Sequence, residues 1–433
     1  MNFMNRIFSD EVKNFEGKEV FLEGWVHDVR VLGGINFLLL RDKNGIAQVT
    51  APKAKVEKKV LDIYPKLRQE DVISVAGKVM KSKISKFGFE VIPDRIEILQ
   101  KSEVPLPLDP REVTKTNLDT QLDWRVMYFR TDQGSSIFKI QSKILESFRK
   151  FLNSKGYLEI QPPVIISSAS EGGAELFEFP YFEKKAYLAQ SPQLYKQLCA
   201  ISFEKVFSVV PVFRAERFDQ PTHLNEIRQM DVEQAFCTDE DVMKVLEECL
   251  SFIVESVRKD CSEEMKKLNK QLTSIKLPLK RITYSQAVSD LKKSGEKIAW
   301  GDDFSKSQEG KIGQLVKENA FFIKDWPNKL KPFYAMPNEK DPKISKAFDL
   351  IFEGIEVSSG TQRIHIPDLL IKQIKEKGMI PEKFKFYVDS FRYGAPVHSG
   401  WSIGLERLTM SITGRKNIRE VTMFPRDRNR ITP

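Results

Sequence analysis

Short runs in which apolar and polar residues alternate occupy the first quarter of the chain. This period of two is typical of half-buried β-strands. Five such runs predict strands over residues 20–29, 35–41, 46–50, 72–79 and 87–98. Tight turns are expected at Gly33-Gly34 and Asn44-Gly45, because both pairs tolerate the positive φ of a hairpin. With a helical stretch over residues 55–67, the five strands predict a small closed β-barrel.

A proline-rich segment separates this barrel from the rest of the chain. Prolines recur through residues 104–110, and their fixed φ and missing N–H exclude a helix or a central strand. Beyond it, a helical period over 137–152 and strand-like runs at 157–160, 206–213 and 231–236 predict an α+β domain built on an antiparallel sheet. The predicted organisation is a barrel at 1–103, a hinge at 104–130 and a larger domain at 131–433.

Composition narrows the class of protein. The 433 residues carry a net charge of +9, which suits both a protein that binds an acidic polymer and an ordinary basic enzyme. The four cysteines show neither CxxC spacing nor neighbouring histidines, so neither a zinc site nor a disulfide framework is indicated. We find no leader sequence and no apolar stretch of membrane-spanning length, so a cytoplasmic protein without a membrane partner is expected.

Arg214 and Glu216 are the first candidate functional residues. They lie two apart at the end of the strand predicted over 206–213, so both side chains point to one face of a sheet. An arginine there can donate two hydrogen bonds to a phosphate that gains negative charge during a reaction. A surface ion pair is the alternative.

A second candidate is a hairpin over residues 348–356 that turns at Glu353-Gly354. Asp349 and Glu356 then share a face, and Ser359 adds a hydroxyl. Carboxylates that lie close together favour a cation between them, and such hard oxygen ligands suit Mg²⁺. Two solvated acids on a hairpin are the alternative.

The third candidate is the segment over residues 400–407, a strand of small residues that runs into an apolar helix. Its glycines allow a flat ligand to approach the backbone closely, and Arg407 at the junction can meet the far end of a polyphosphate. An exposed arginine at a helix start is the alternative.

These three segments, taken together, resemble a known family. Residues 213–216 are similar to motif 2 of the class II aminoacyl-tRNA synthetases, residues 404–407 to motif 3 and residues 156–163 to motif 1. The strings at 190–197, 170–173 and 424–427 resemble aspartyl-tRNA synthetases of the archaeal and eukaryotic type, and the similarity covers essentially the whole chain. It implies an α+β class II synthetase sheet with helices, plus an N-terminal barrel of the oligonucleotide-binding (OB) fold.

The resemblance implies a binding site for ATP and Mg²⁺. Arg214 and Arg407 take the catalytic roles, at the α-phosphate and γ-phosphate respectively. The Mg²⁺ ligands are Glu356 and Ser359, with Asp349 as a further candidate. The residues that line the ATP site are Arg214, Ala215, Glu216, Thr222, His223, Leu224, Glu356, Gly404, Leu405, Glu406 and Arg407.

The resemblance also implies the amino-acid site and the tRNA contacts. Lys196 and Arg363 face the side-chain carboxylate of L-aspartate, and Lys196 excludes asparagine, because the asparagine enzymes lack it. The aspartate-binding residues are Glu171, Gln193, Lys196, Arg214, Asp231, Ser359 and Arg363. The anticodon of tRNA contacts Arg30, Phe37, Gln48 and Lys86, of which Phe37 stacks on a base. A core aromatic is the alternative for Phe37.

Several positions leave alternatives open. Ile227 stands where relatives place an aromatic residue on adenine, so adenine is held either by Arg228 stacking or less tightly. In the family that the chain resembles, a histidine at the position of His27 goes with acceptance of asparagine tRNA as well, whereas a lysine at the position of Lys86 goes with restriction to aspartate tRNA. Pro163 resembles the motif 1 proline at the two-fold interface of the family, so the resemblance implies a homodimer; a simple strand breaker is the alternative. The asparagine enzyme and a noncatalytic RNA-binding paralogue remain the competing functions.

Overall fold

The computed structural model describes residues 5–83, 85–167, 176–217 and 220–433. The chain divides into two compact units, one ending at Thr116 and the other starting at Asn117. This division falls inside the predicted hinge, residues 104–130, of which 118–123 and 125–128 are helical. The domain bounds and the hinge stay predictions. In the described part of the chain, no helix combines the length and apolar character needed to cross a bilayer.

The first unit is a closed five-stranded barrel. Its strands are β1 (Glu19–Val31), β2 (Ile35–Arg41), β3 (Ile46–Pro52), β4 (Val72–Lys81) and β5 (Phe89–Gln100). They close in the order β1-β2-β3-β5-β4, and all pairs are antiparallel except β3 with β5. Helix α1 (Lys58–Leu61) and 3₁₀ turns at Ser9–Phe15 and Tyr64–Lys66 complete the unit. The closed β-barrel is confirmed, with strand bounds close to those predicted.

Alternation along the strands separates the barrel's two faces. Leu38 and Leu40 of β2 point into the core with Val49 of β3, whereas Phe37 lies on the outer face and is only half-buried. The structure therefore contradicts a core position for Phe37. On that outer face, Phe37 pairs laterally with Arg30 of β1 on one side and Thr50 of β3 on the other.

The second unit contains an eight-stranded sheet in the order β12-β13-β14-β15-β16-β11-β10-β6. Its strands are β6 (Leu158–Glu159), β10 (Lys205–Phe213), β11 (Glu226–Ala235), β12 (Lys280–Thr283), β13 (Ala320–Lys324), β14 (Ala347–Phe352), β15 (Ile355–Gln362) and β16 (His398–Gly404). Only the outermost pairs, β12 with β13 and β10 with β6, are parallel. A smaller sheet has the order β7-β9-β8, with strands β7 (Ile165–Ile166), β8 (Glu178–Tyr181) and β9 (Lys184–Leu188).

The α-helices of the second unit lie between and beside these strands. They are α2 (Leu118–Asp123), α3 (Arg125–Tyr128), α4 (Asp132–Ser154), α5 (Gln193–Phe203), α6 (Asp239–Asp260), α7 (Ser262–Lys267), α8 (Tyr284–Lys293), α9 (Lys306–Val316), α10 (Pro367–Glu376), α11 (Lys385–Phe391) and α12 (Leu405–Thr413). Short 3₁₀ turns occur at Asn328–Leu330, Pro381–Phe384 and Ile418–Val421.

Helices α4, α6 and α12 pack against one face of the large sheet. Their apolar residues share a core with Met230 and Val232 of β11 and with Trp401 and Ile403 of β16. Side chains alternate along a strand, so the residues between these four point to the opposite face. Those residues are polar or small, and the candidate residues Asp231 and Gly404 lie on this face. The predicted α+β architecture is confirmed.

Arg125 fastens the C-terminal segment to this core. Its guanidinium is buried and donates to the backbone carbonyls of Arg419 (3.0 Å), Glu420 (3.2 Å), Thr422 and Met423 (2.8 Å). Burial lowers the pKa of Arg125 to about 10, so the side chain is still charged at neutral pH. One side chain therefore satisfies four carbonyl groups at the end of the chain.

Glu406 fastens α12 to β11. Its buried carboxylate accepts the backbone N–H of Arg228 at 3.0 and 3.2 Å. Burial raises the pKa of Glu406 to about 7, above its ordinary value of 4.5. The folded protein therefore binds a proton more tightly at this carboxyl than the unfolded chain does.

Replacing Arg125 by methionine should destabilise the protein by about 3 kcal/mol or more, because several buried carbonyls lose their donor. Urea unfolding followed by tryptophan fluorescence measures the change. Arg258→Met, in an exposed pair with Glu255, is the matched control and should stay within about 0.5 kcal/mol of wild type. A loss for Arg125→Met as small as that of the control contradicts the anchoring role.

Glu406→Gln should change the pH dependence of stability. Because the folded pKa exceeds the unfolded one, the contribution of Glu406 to wild-type stability falls as pH rises from about 4.5 to 7, by on the order of 3 kcal/mol. The glutamine variant loses this contribution, so its stability relative to wild type should increase with pH across that window. Urea unfolding at several pH values tests this, with the exposed Glu263→Gln as control. Parallel pH profiles for Glu406→Gln and wild type would count against it.

Candidate active site

A cavity of about 310 Å³ lies on the polar face of the large sheet. Gln229 and Asp231 of β11 and Ser402 and Gly404 of β16 form part of its wall. Strand β15 adds Ser359, which lies opposite Ser402 in the ladder. The alternation that buries Met230 and Trp401 on the other face thus brings these polar groups together.

Four buried charges meet at one end of this cavity. Lys196 Nζ of α5 lies 2.9 Å from Asp231 Oδ1 and 3.6 Å from Glu233 Oε2. Arg363 donates to Glu233 through Nε (2.8 Å) and Nη2 (3.0 Å). Each of these residues is at most 3% exposed. We call Lys196, Asp231, Glu233 and Arg363 the four-charge cluster; its formal charges sum to zero.

The cluster favours the ionised forms of Glu233 and Arg363. Burial alone would raise the pKa of Glu233, but Arg363 and Lys196 hold it below its usual value. Burial would lower the pKa of Arg363, and Glu233 raises it instead. Arg363 Nη1 has no hydrogen-bond partner among the described residues, and Arg363 lines the cavity. The cluster can therefore offer a fixed guanidinium N–H and an ammonium to an acidic ligand.

Gly400 makes room for this arrangement. A Cβ at position 400 would lie 2.1 Å from Glu233 Oε2 and 2.3 Å from the carbonyl oxygen of Val232. Both distances are far below van der Waals contact, so any side chain at position 400 would push the Glu233 carboxylate away from Arg363.

Of two other residues predicted to bind the amino acid, one lines the cavity and one lies outside the described residues. The buried Gln193 lines the cavity, and its amide nitrogen has no hydrogen-bond partner in the described chain. Such a donor favours a polar ligand. Glu171, with the string over residues 170–173, lies outside the described residues. Glu233 was not predicted, although it lies two residues after Asp231 and so on the same strand face.

Arg214 and Glu216 follow the end of β10 and line the cavity. Asn225 holds this segment in place. Its side-chain Nδ2 donates to the backbone carbonyl oxygens of Arg214 (2.7 Å) and Glu216 (3.0 Å), and its backbone carbonyl accepts the Arg214 N–H (2.9 Å). Asn225 was also not predicted. Its position beside Glu226, where β11 begins, was the available signal.

Thr222, His223 and Leu224 line the same cavity. The Thr222 hydroxyl lies 3.0 Å from His223 Nδ1. Burial, followed by the charges of Arg407 and Lys306, lowers the pKa of His223 to about 4. This imidazole is therefore neutral at physiological pH and adds no charge to the site.

The predicted motif 3 residues divide between cavity and core. Arg407 lines the cavity, with Nη1 3.7 Å from Glu356 Oε2, and Gly404 lines it too. Leu405 packs in the hydrophobic core. The Glu406 carboxylate holds the Arg228 backbone, as described above. Arg228 also pairs with Glu226 at 2.8 Å, whereas the neighbouring Ile227 lines the cavity.

The hairpin of β14 and β15 places the predicted metal ligands. It turns at Glu353 and Gly354, whose φ values of 51° and 76° suit a two-residue hairpin turn. Asp349 pairs with Ser359 across the two strands, and both lie near Glu356. Among the described residues, no three His, Cys, Asp or Glu side chains cluster around a possible metal position.

The predicted anticodon residues lie in the barrel unit. Arg30 is exposed and pairs with Asp28 at 3.3 Å, in the lateral row with Phe37. Gln48 donates to Thr50 Oγ1 and to Glu90 Oε2, both at 3.2 Å. Lys86 Nζ lies 5.1 Å from the centre of the Phe87 ring. The half-buried His27 contacts Arg41 at 3.3 Å, and burial lowers its pKa.

Comparison with known proteins gives consistent matches along the chain. Residues 117–428 match the family of tRNA synthetases class II (D, K and N), and residues 20–99 match the OB-fold nucleic acid binding domain. An aspartate–tRNA(Asp/Asn) ligase of Methanopyrus kandleri is 47% identical over 98% of both chains. An aspartate–tRNA(Asp) ligase of Pyrococcus horikoshii is 45% identical, covering 98% of this chain and 99% of its own.

Solved structures agree with these matches. The asparaginyl-tRNA synthetase of Pyrococcus horikoshii complexed with asparaginyl-adenylate has a TM-score of 0.95 at 32% identity, with both chains fully covered. A putative aspartyl-tRNA synthetase from Leishmania major has a TM-score of 0.91 at 31% identity, covering 100% of this chain and 96% of its own. The chain therefore belongs to the class II tRNA synthetases of the D, K and N group.

Proposed function

We propose that the protein is an aspartate–tRNA ligase. It activates L-aspartate with ATP, releases pyrophosphate, and transfers the aspartyl group from the adenylate to the 3′ end of tRNA(Asp). The four-charge cluster carries this proposal, because it places two buried cations at the end of a cavity lined by candidate phosphate-binding arginines. Relatives with 43–47% identity that are named aspartate–tRNA ligases support it.

Charge explains the choice of amino acid. The side-chain carboxylate of aspartate accepts hydrogen bonds from Lys196 and from Arg363 Nη1, and Asp231 accepts the substrate ammonium. The side chain of asparagine is neutral, and its amide NH₂ group places two hydrogen-bond donors where these cations need an acceptor. The resulting penalty is on the order of several kcal/mol, because the unpaired charges are buried.

The chemistry of activation needs no nucleophile from the protein. The α-carboxylate of aspartate attacks the α-phosphorus of ATP, and the bond to the pyrophosphate oxygen breaks. Arg214 binds the α-phosphate and the attacking carboxylate, so it lowers the cost of bringing two anions together. Arg407 binds the γ-phosphate of a bent ATP. Ile227 packs on adenine in place of an aromatic ring, next to the Arg228–Glu226 pair.

The residues at the hairpin fit Mg²⁺. Glu356 lines the cavity with its side chain 30% exposed, and Ser359 and Asp349 add oxygen atoms of the kind that Mg²⁺ prefers. We propose that Glu356 and Ser359 hold the ion, with Asp349 as an additional ligand. When bound, Mg²⁺ neutralises phosphate charge and orients the polyphosphate.

The barrel supplies the anticodon surface in this proposal. Phe37 stacks on a base, which is worth about 1–3 kcal/mol. Arg30 lies beside it in the lateral row, and Gln48 and Lys86 add polar and charged contacts. Some of the relatives are named as ligases for both tRNA(Asp) and tRNA(Asn), which makes tRNA(Asn) a second acceptor to test. We further propose a cytoplasmic homodimer that uses the motif 1 segment around Pro163.

An asparagine–tRNA ligase is the second candidate. The similarity to the asparaginyl-tRNA synthetase from Pyrococcus horikoshii, with a TM-score of 0.95, favours it. The overall fold does not distinguish the two enzymes, because their difference lies in the charges of one pocket. Lys196 within the four-charge cluster favours aspartate.

Exchange of labelled pyrophosphate into ATP tests the proposal. Aspartate should support exchange and asparagine should not, and Lys196→Met should reduce aspartate-dependent exchange about 100-fold or more, because it leaves Asp231 and Glu233 without a shared cation. The exposed Lys372→Met is the control.

Preferential exchange with asparagine would support the second candidate, and tRNA binding without any exchange would support a noncatalytic paralogue. Charging of purified tRNA(Asp) and tRNA(Asn) then defines the acceptor.

Gly400→Ala should raise the KM for aspartate about 100-fold and the KM for ATP much less, since the new methyl group displaces Glu233 from Arg363 directly and affects the ATP end only through the shifted backbone at Val232. Steady-state exchange kinetics measure both constants. Gly34→Ala is the control, because its Cβ meets nothing within 4 Å. Equal effects on the two constants would mean that Gly400 acts on the whole sheet rather than on the amino-acid end.

A further inference from the structure

Lys331 lines the main cavity beside Asp349, and the roles above do not use it. It follows the 3₁₀ turn Asn328–Leu330, and its side chain is 13% exposed. Nζ donates to Asp349 Oδ1 at 3.0 Å and to Oδ2 at 2.7 Å. The same ammonium lies 4.1 Å from the centre of the Trp326 ring. A cation–π contact and a two-oxygen ion pair thus fix its position.

The carboxylate that Lys331 binds is the candidate third ligand of Mg²⁺. Both Asp349 oxygens already accept from Lys331. Each oxygen keeps a second lone pair, but a metal ion bound there withdraws its electrons and so weakens the pair with Lys331. The repulsion between an ammonium and a divalent cation a few Å apart adds to that competition. Lys331 and the metal ion therefore compete for the Asp349 carboxylate.

Lys331 also has space into which it can move. It lines the main cavity together with Arg214 and Arg407, and it lines an adjoining cavity of about 330 Å³ with Asp349, Glu356 and Lys306. Because lysine is a flexible point charge with three rotatable donors, a small movement of its side chain suffices to reach a phosphate in either cavity.

We propose that Lys331 and Mg²⁺ compete for Asp349, and that Lys331 passes to the terminal phosphates of ATP or to pyrophosphate when the metal takes the carboxylate. This inference rests on the proposed Mg²⁺ site at Glu356 and Asp349. Lys331 is then a phosphate-binding residue in addition to Arg214 and Arg407. It also keeps a positive charge beside the buried Asp349 before the metal arrives.

The two halves of this inference predict opposite changes in Lys331→Met. At about pH 8, calorimetric titration of the full chain with Mn²⁺ alone should show tighter binding, by about 5- to 10-fold, because a competing charge is gone. Titration with pyrophosphate in excess Mg²⁺ should show binding about 10-fold weaker, because a phosphate contact is lost. Neither titration depends on turnover. A variant that is merely misfolded would weaken both.

Two controls sharpen the test. Lys331→Arg keeps the charge and should retain pyrophosphate binding within about threefold. In an Asp349→Asn background, Lys331→Met should no longer change Mn²⁺ affinity, because the shared carboxylate has been removed. Unchanged or weaker Mn²⁺ binding by Lys331→Met overturns the inference, and so does unchanged pyrophosphate binding.

Failure of the inference is distinguishable from failure of the proposed function. If Glu356→Gln leaves Mn²⁺ binding unchanged, the metal site is wrong and the inference falls with it. If Lys331→Met gives the opposed changes but aspartate supports no exchange, the inference stands and the ligase proposal fails. If aspartate supports exchange but the two binding changes are not opposed, the ligase proposal stands and the inference fails.

Discussion

The site depends on a buried set of opposite charges whose sum is zero. Two cations and two carboxylates at most 3% exposed would each be costly to bury alone. Together they compensate one another, because Arg363 binds Glu233 through two nitrogens and Lys196 lies between Asp231 and Glu233. The protein thereby holds strong cationic donors inside a domain core, where an acidic metabolite has little competition from water.

The large sheet connects the four-charge cluster to the end of the cavity where Arg214 and Arg407 are proposed to bind phosphate. Alternation on β11 and β16 gives one face to the apolar core and the other to the cavity, so the two faces are built from the same strands. Helix α12 starts where β16 ends, and Glu406 ties it to the backbone of β11. The strands therefore fix the distance between the four-charge cluster and the arginines proposed to bind phosphate, which the proposed reaction between two anions requires.

Local patterns predicted more of this structure than long-range ones. The barrel strands and the hairpin turn at Glu353-Gly354 follow from short-range periodicity and turn chemistry. Arg214 and Glu216 were predicted to share a strand face, but β10 ends at Phe213, and both line the cavity from the segment that follows it. Glu233 and Lys331 were missed because their partners, Arg363 and Asp349, are distant in sequence and no spacing rule joins them. The Glu406 carboxylate accepts a hydrogen bond from the backbone N–H of Arg228, and no sequence pattern indicates this contact. The proposed roles of the site residues follow from the family resemblance, and the cavity supports them.

A crystal structure of the full chain with aspartate and a non-hydrolysable ATP analogue tests the central claim most directly. The account predicts the side-chain carboxylate within hydrogen-bond distance of Lys196 Nζ and Arg363 Nη1, with the Glu233–Arg363 pair intact. An aspartate whose carboxylate lies elsewhere, while both cations remain turned to Asp231 and Glu233, would contradict it.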